Sequence, residues 1–173
     1  MKIESVTQDI AVCGNFKTTD FNVGDVAFIV DMFADKVYSH KERAVIRELC
    51  CNAYDSHIMA GTTHIPFKVH LPTIIEPFFS VRDFGTGLSD NEVRTIFAGI
   101  GISTKRNSNN LIGCFGIGSL SPYSMADSFM VKSYYNGTVK TYTCYRDEKR
   151  KPVVALLSET ETSEPNGLEV SLN

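Results

Sequence analysis

The stretch Arg43 to His57, RAVIRELCCNAYDSH, decides how the rest of the chain is read. Ile46, Leu49, Cys50 and Ala53 recur at three- and four-residue intervals, an apolar stripe that predicts an amphipathic helix. Glu48, Asn52 and Asp55, at offsets of four and seven, share another face of that helix within a few tens of degrees. One helix therefore buries its back and presents three polar groups at its front. On an ordinary surface helix such a trio is merely solvated. Its meaning depends on what the flanking sequence sets against it.

Working outward, Ser39 followed by Glu42 predicts a capping box at the helix start, and Gly61 stops the helix after Ala60. Upstream, Ile3 to Val12 alternates like a strand, and Val23 to Val37 carries helical spacing. Downstream, Ile65 to Leu71 and Phe78 to Asp83 predict two short strands, and Ser89 with Glu92 opens a short helix through Phe97. Gly99 to Gly118 is glycine-rich and polar, the composition of a loop or lid. A short helix after Ser119 gives way at Asp127 to strands over Phe129–Tyr135, Val139–Tyr145, Val153–Leu157 and Leu168–Leu172, with Asn136-Gly137 as a hairpin turn between the first two. Early helices and a late run of antiparallel strands predict an α+β, two-layer sandwich rather than a doubly wound α/β sheet.

The chain has 173 residues, 43% of them hydrophobic, enough for one compact core. A single domain over residues 1–173 is expected. The net charge of −3 gives no basic face for nucleic acid. Arg146 to Lys151, RDEKRK, mixes signs and fits a solvated hairpin turn. The five cysteines (Cys13, Cys50, Cys51, Cys114, Cys144) lack paired spacing, and no histidine stands at metal-ligand spacing to them, so a reducing compartment and small buried thiols are expected. No signal pattern or membrane-spanning apolar run is present.

Two further segments give the polar helix its company. Asp83-Phe84-Gly85-Thr86-Gly87 closes an apolar strand, so a carboxylate stands at a strand end beside two glycines that let a ligand approach the backbone. Such a carboxylate can accept the exocyclic amine hydrogen of adenine. Gly113-Cys114-Phe115-Gly116-Ile117-Gly118 precedes a helix, where clustered backbone N–H groups and the helix terminus suit a phosphate chain. A Rossmann fingerprint fails because Asp90 stands where its third glycine belongs, and a P-loop fails because Thr104 precedes Lys105.

Taken together, these motifs resemble the GHKL (Bergerat) ATPases, the superfamily of gyrase, the heat-shock chaperone ATPase, histidine kinases and MutL. Glu48-x-x-x-Asn52-x-x-Asp55 is similar to its N-box, Asp83-x-Gly85-x-Gly87 to its adenine motif, and Gly113 to Gly118 to its lid glycine box. Within that superfamily Arg43–His57, Val81–Asp90 and Ile112–Asp127 resemble the N-terminal ATPase domain of phage rIIA-type lysis-inhibition proteins. The resemblance implies a GHKL sandwich with a sheet mostly antiparallel and helices on one face, a lid over about 99–118, and a chain that is the N-terminal part of a longer protein or a shortened homologue.

It also implies roles. Glu48 would be the general base, and Asn52 would give its side-chain oxygen to a Mg²⁺ held mainly by the phosphates of ATP. Asp55 would line the cleft or pair with Arg82. Asp83, Gly85 and Gly87 would hold the adenine; Thr104 and Lys105 would approach the phosphates from the lid, with Gly113, Phe115, Gly116 and Gly118 in the glycine box. Two departures stand out. Gly167 is followed by Leu168 where the superfamily often has a threonine that holds an adenine-bound water, and the lysine or arginine that the superfamily usually brings to the γ-phosphate from a following domain is not expected from this stretch. The expectation is ATP and Mg²⁺ binding with slow or no turnover by this chain alone. Implied partners are a second copy on nucleotide binding and a phage or host protein, in the cytoplasm of an infected bacterium and at the membrane only through partners. Alternatives are a nucleotide-stabilised module that docks a host factor without turnover, and a histidine-kinase catalytic domain, which lacks its phospho-acceptor helix here.

Overall fold

The computed structural model describes residues 39–99 and 118–173, together with Met32. The expected strand over Ile3–Val12 lies outside the described residues. Of the expected helix over Val23–Val37 only Met32 is described, and it is helical.

Helix α1 spans Lys41–Ala60 and α2 spans Asp90–Ala98. A 3-10 helix covers Gly118–Ser124. Six strands, β1 (Lys68–His70), β2 (Phe79–Arg82), β3 (Ser128–Tyr135), β4 (Thr138–Arg146), β5 (Pro152–Glu161) and β6 (Gly167–Leu172), form one sheet in the order β1-β2-β6-β3-β4-β5. Every described pairing is antiparallel. The expected α+β sandwich is the observed fold.

The sheet buries one face. Along β3, Phe129, Val131 and Ser133 are buried while their neighbours are half-buried or exposed, the period-2 pattern of a strand with one covered side. Cross-strand register sets Val81 opposite Val170, Val170 opposite Val131, and Val131 opposite Tyr142, an apolar row across four strands. Val45, Leu49 and Ala53 of α1, Val93 and Phe97 of α2, and Leu120 and Tyr123 of the 3-10 helix join this row in one core. The core therefore pins the back of α1 against the sheet. Its polar front is left beside the ends of β2 and β6.

Local chemistry explains most boundaries. At α1 the C-terminus ends as expected: Gly61 adopts a left-handed conformation (φ 70°), and the N–H groups of Gly61 and Thr62 reach the carbonyls of Ile58 and His57. Its start corrects the sequence reading, because His40 is the N-cap and makes no side-chain capping bond. Helical geometry beginning at Lys41 puts Arg43, not Glu42, at the third position, so Ser39 and Glu42 are out of register for a capping box. At α2 the expected box forms, with Ser89 Oγ accepting from Glu92 N and Glu92 Oε2 accepting from Ser89 N. Asn136 and Gly137 both have positive φ (51° and 77°), as a two-residue hairpin requires. Asp147 Oδ1 accepts from the N–H groups of Lys149 and Lys151, so the mixed-charge segment is the β4–β5 turn it was expected to be. Strand β5 runs on to Glu161, past the expected end at Leu157, because its ladder with β4 continues through a register shift at Thr141/Tyr142.

The segment after the glycine box also differs from expectation. It is a 3-10 helix, not an α-helix. Pro122 lies inside it and has no backbone N–H, so the bond an α-helix would make to Gly118 O is missing. Cys50, Cys51 and Cys144 are free thiols, and burial pushes Cys144 up to about 12. Among the described residues no helix is long and apolar enough to cross a membrane.

Candidate functional site

Two carboxylates and one amide converge where α1 passes the ends of β2 and β6. Asn52 stands between them. With Asp83, Leu168, Val170 and Ser119 it lines a pocket of about 30 Å³ floored by Leu49, Ala53, Val81 and Phe97.

At one end of the pocket lies Asp83, 4% exposed, carried by the last residues of β2. Its backbone N–H donates to Leu168 O at 2.9 Å, which continues the β2–β6 ladder by one bond. Its Oδ1 accepts from Gly85 N at 2.9 Å and from Ser56 Oγ at 3.1 Å. Burial pushes the Asp83 carboxyl above the usual carboxylate range, opposed by the bonds from Gly85 and Ser56, by the Leu168 backbone N–H and by the neighbouring Arg82. The result is a carboxylate with Oδ1 held by two donors at the wall of an otherwise largely apolar pocket.

The loop that carries Asp83 is tied down on both sides. Arg82, itself buried, lies between the rings of Tyr134 and Phe84, with its guanidinium carbon 3.8 Å and 4.7 Å from their centroids. It donates to Asp83 O and, at 2.8 Å, to Pro165 O. Burial lowers the Arg82 pKa from its ordinary value. On the helix side, Phe84 N donates to His57 Nε2 at 2.8 Å, which places the imidazole proton on Nδ1, facing Thr62 O at 3.1 Å. Gly85 rests directly on α1: a Cβ there would lie 2.1 Å from Ser56 Oγ and 2.5 Å from the Ser56 carbonyl carbon. Gly87 (φ +67°) turns the chain beneath β3, where a Cβ would meet Tyr134 O at 2.2 Å. Both glycines thus shape the loop by close approach to protein backbone.

At the other end of the site stands Glu48, one turn before Asn52. Its Oε1 accepts from Arg47 Nη2 at 2.8 Å, an exposed pairing between neighbours that holds little energy. Its Oε2 faces Gly118. A Cβ on Gly118 would come within 2.7 Å of that oxygen and 3.6 Å of Asn52 Nδ2. The last residue of the glycine box therefore lies against both N-box side chains.

Asp55 takes a different position. It is 0% exposed, it is not among the residues lining the pocket, and its interactions are made within the protein. Arg82 makes its bonds to Asp83 O and Pro165 O, and the alternative pairing with Asp55 is not among them. Relative to Asn52, Asp55 is rotated by about 60° one way and Ser56 by about 40° the other. Ser56 meets the β2 loop at Asp83 and Thr86. Ser56 and His57 were passed over in the sequence because neither belongs to the three motifs; their signal was the one-turn spacing from Asn52 to Ser56. Thr104, Lys105, Gly113, Phe115 and Gly116 lie outside the described residues.

Metal fit follows from the donor set. Among the described residues no cluster of three histidine, cysteine or carboxylate side chains could cage an ion. An Asn52 side-chain oxygen is a hard donor suited to Mg²⁺, which commonly keeps waters and substrate phosphates as its other ligands. These residues fit an ion brought by a polyphosphate and do not fit a resident metal.

A family model described as "Histidine kinase-, DNA gyrase B-, and HSP90-like ATPase" matches residues 38–170, well over half of the chain. None of the curated proteins searched matches it.

Proposed function

The chain belongs to the histidine kinase-, DNA gyrase B- and HSP90-like ATPase family, and from that premise we propose that it binds ATP between Asp83 and Gly118 and cleaves it slowly on its own. One observation carries the reading: Asp83, buried and with Oδ1 doubly bonded to the protein, lines a largely apolar pocket beside Asn52. An ionised carboxylate oxygen in that setting accepts the adenine 6-amine; a guanine base would present a carbonyl oxygen there and be repelled. Leu168 makes this wall apolar where the superfamily often has a water-holding threonine, so recognition rests mainly on Asp83.

From adenine at Asp83 the polyphosphate would run past Asn52 toward Gly118 and Glu48. Mg²⁺ on Asn52 would neutralise phosphate charge when bound. Glu48, with Oε2 unshared, would take the proton of the attacking water. Thr104, Lys105, Gly113, Phe115 and Gly116 complete the phosphate contacts in this proposal, supported by their motif positions. The pocket is far below the roughly 300 Å³ of an ordinary ligand site, so entry of the base requires its walls to part.

At a finer level, the likeness of Arg43–His57, Val81–Asp90 and Ile112–Asp127 to rIIA-type proteins supports a phage regulator of host lysis. In that reading this domain is the N-terminal part of a longer protein in the infected cell. Nucleotide state would control pairing of two copies or contact with a phage or host protein.

Thermal unfolding tests the binding claim. ATP with Mg²⁺ at about 100 times its Kd adds about 2.7 kcal/mol and raises the melting temperature by roughly 5–10 °C. GTP at the same concentration leaves it unchanged. Equal shifts with both nucleotides, or none with ATP, contradict the proposal.

A further inference from the structure

We propose that Ser56 is the specificity-determining partner of Asp83, fixing which carboxylate oxygen reads the base; this rests on the proposed role of Asp83. Ser56 lies one helical turn beyond Asn52, which itself lies one turn beyond Glu48. The three side chains form a polar row along α1, from the Gly118 end of the site to the Asp83 end.

The hydroxyl of Ser56 is used twice. It donates to Asp83 Oδ1 at 3.1 Å and accepts from Thr86 N at 3.2 Å. The second bond directs the first, because a hydroxyl whose lone pair takes the Thr86 N–H turns its single proton toward Asp83. With Gly85 N also on Oδ1, that oxygen is saturated by two donors and the carboxylate plane is set. The terminal torsion of an aspartate is otherwise broad and two-fold. Without the hydroxyl, Oδ1 keeps Gly85 N, the carboxyl keeps the Leu168 backbone N–H beside it, and the orientation that points Oδ2 at the amine loses one of its donors.

The neighbouring backbone keeps Ser56 at this work. Gly85 admits no Cβ against Ser56, and Phe84 is bonded at both ends to the region where α1 stops, its N–H to His57 Nε2 and its carbonyl to Thr62 Oγ1 at 3.1 Å. The loop is thus hung on the helix by His57 and Thr62. Ser56 can be changed without releasing it.

The test is a double-mutant cycle read with two nucleotides, ATP and purine riboside triphosphate, which lacks the 6-amine. Ser56→Ala is expected to weaken ATP binding about tenfold, the scale of one hydrogen bond to a charged group, and to leave purine riboside triphosphate binding unchanged. In the Asp83→Asn background the same change is expected to have little further effect on ATP. Retained binding of the amine-free nucleotide shows that the variant is folded. Equal weakening of both nucleotides, or a full additive loss on Asp83→Asn, overturns the role of Ser56 and leaves the Asp83 site standing. Failure of Asp83→Asn alone to weaken ATP binding refutes the site itself, and the Ser56 inference with it.

Discussion

Replacing Glu48 by glutamine is expected to lower the single-turnover rate of ATP cleavage by about 100- to 10,000-fold, the usual contribution of a positioned general base. Binding of an ATP analogue should be essentially unchanged. The argument is local. Glu48 shares Oε1 with Arg47 and keeps Oε2 beside Gly118, outside the pocket that Asn52 and Asp83 line. Glutamine fills the same volume on the same helix face, but its amide takes up no proton. Single-turnover conditions with excess protein and Mg²⁺ are the appropriate measurement, because turnover by this chain alone is expected to be slow. An unchanged cleavage rate would remove Glu48 from the chemistry and favour the reading in which nucleotide only stabilises a docking module.

Asp83→Asn carries the second large effect. ATP-analogue affinity is expected to fall about 100-fold in isothermal titration. The change removes a buried charged acceptor, whose bond is worth about 1.5–3 kcal/mol, and it offers the adenine amine an NH₂ group in one of its two orientations. Inside the protein the substitution is mild, since an asparagine oxygen can still accept from Gly85 N and Ser56 Oγ as Asp83 Oδ1 does. The variant should therefore melt close to wild type without nucleotide while losing most of the nucleotide-induced shift. An affinity within twofold of wild type would contradict the assignment of the base site.

How far the sequence reveals this site depends on the range of each interaction. The helix carrying Glu48 and Asn52, its stop at Gly61, the Ser89–Glu92 box and the Asn136-Gly137 hairpin are legible because each is decided within a few residues. The start of α1 is misread by one residue, which is enough to dissolve a capping box at Ser39. Asp83 is legible as a strand-end carboxylate. The bond that fixes its Oδ1 is not, because it comes from Ser56, 27 positions away. Arg82 shows the same limit: its aromatic sandwich joins β2 to β3, and its bond to Pro165 spans 83 positions. Around the helix Asp55 lies about 20° from Glu48 and Ser56 about 80°, yet it is Ser56 that meets the β2 loop, and only the assembled sheet sets that contact.

A structure of the chain with an ATP analogue and Mg²⁺ tests the central claim most directly. The account predicts the adenine amine within hydrogen-bond distance of Asp83 Oδ2, the metal on the side-chain oxygen of Asn52, and the γ-phosphate between Gly118 and Glu48. A base seated away from Asp83, or a site with no nucleotide at saturating concentration, would contradict it.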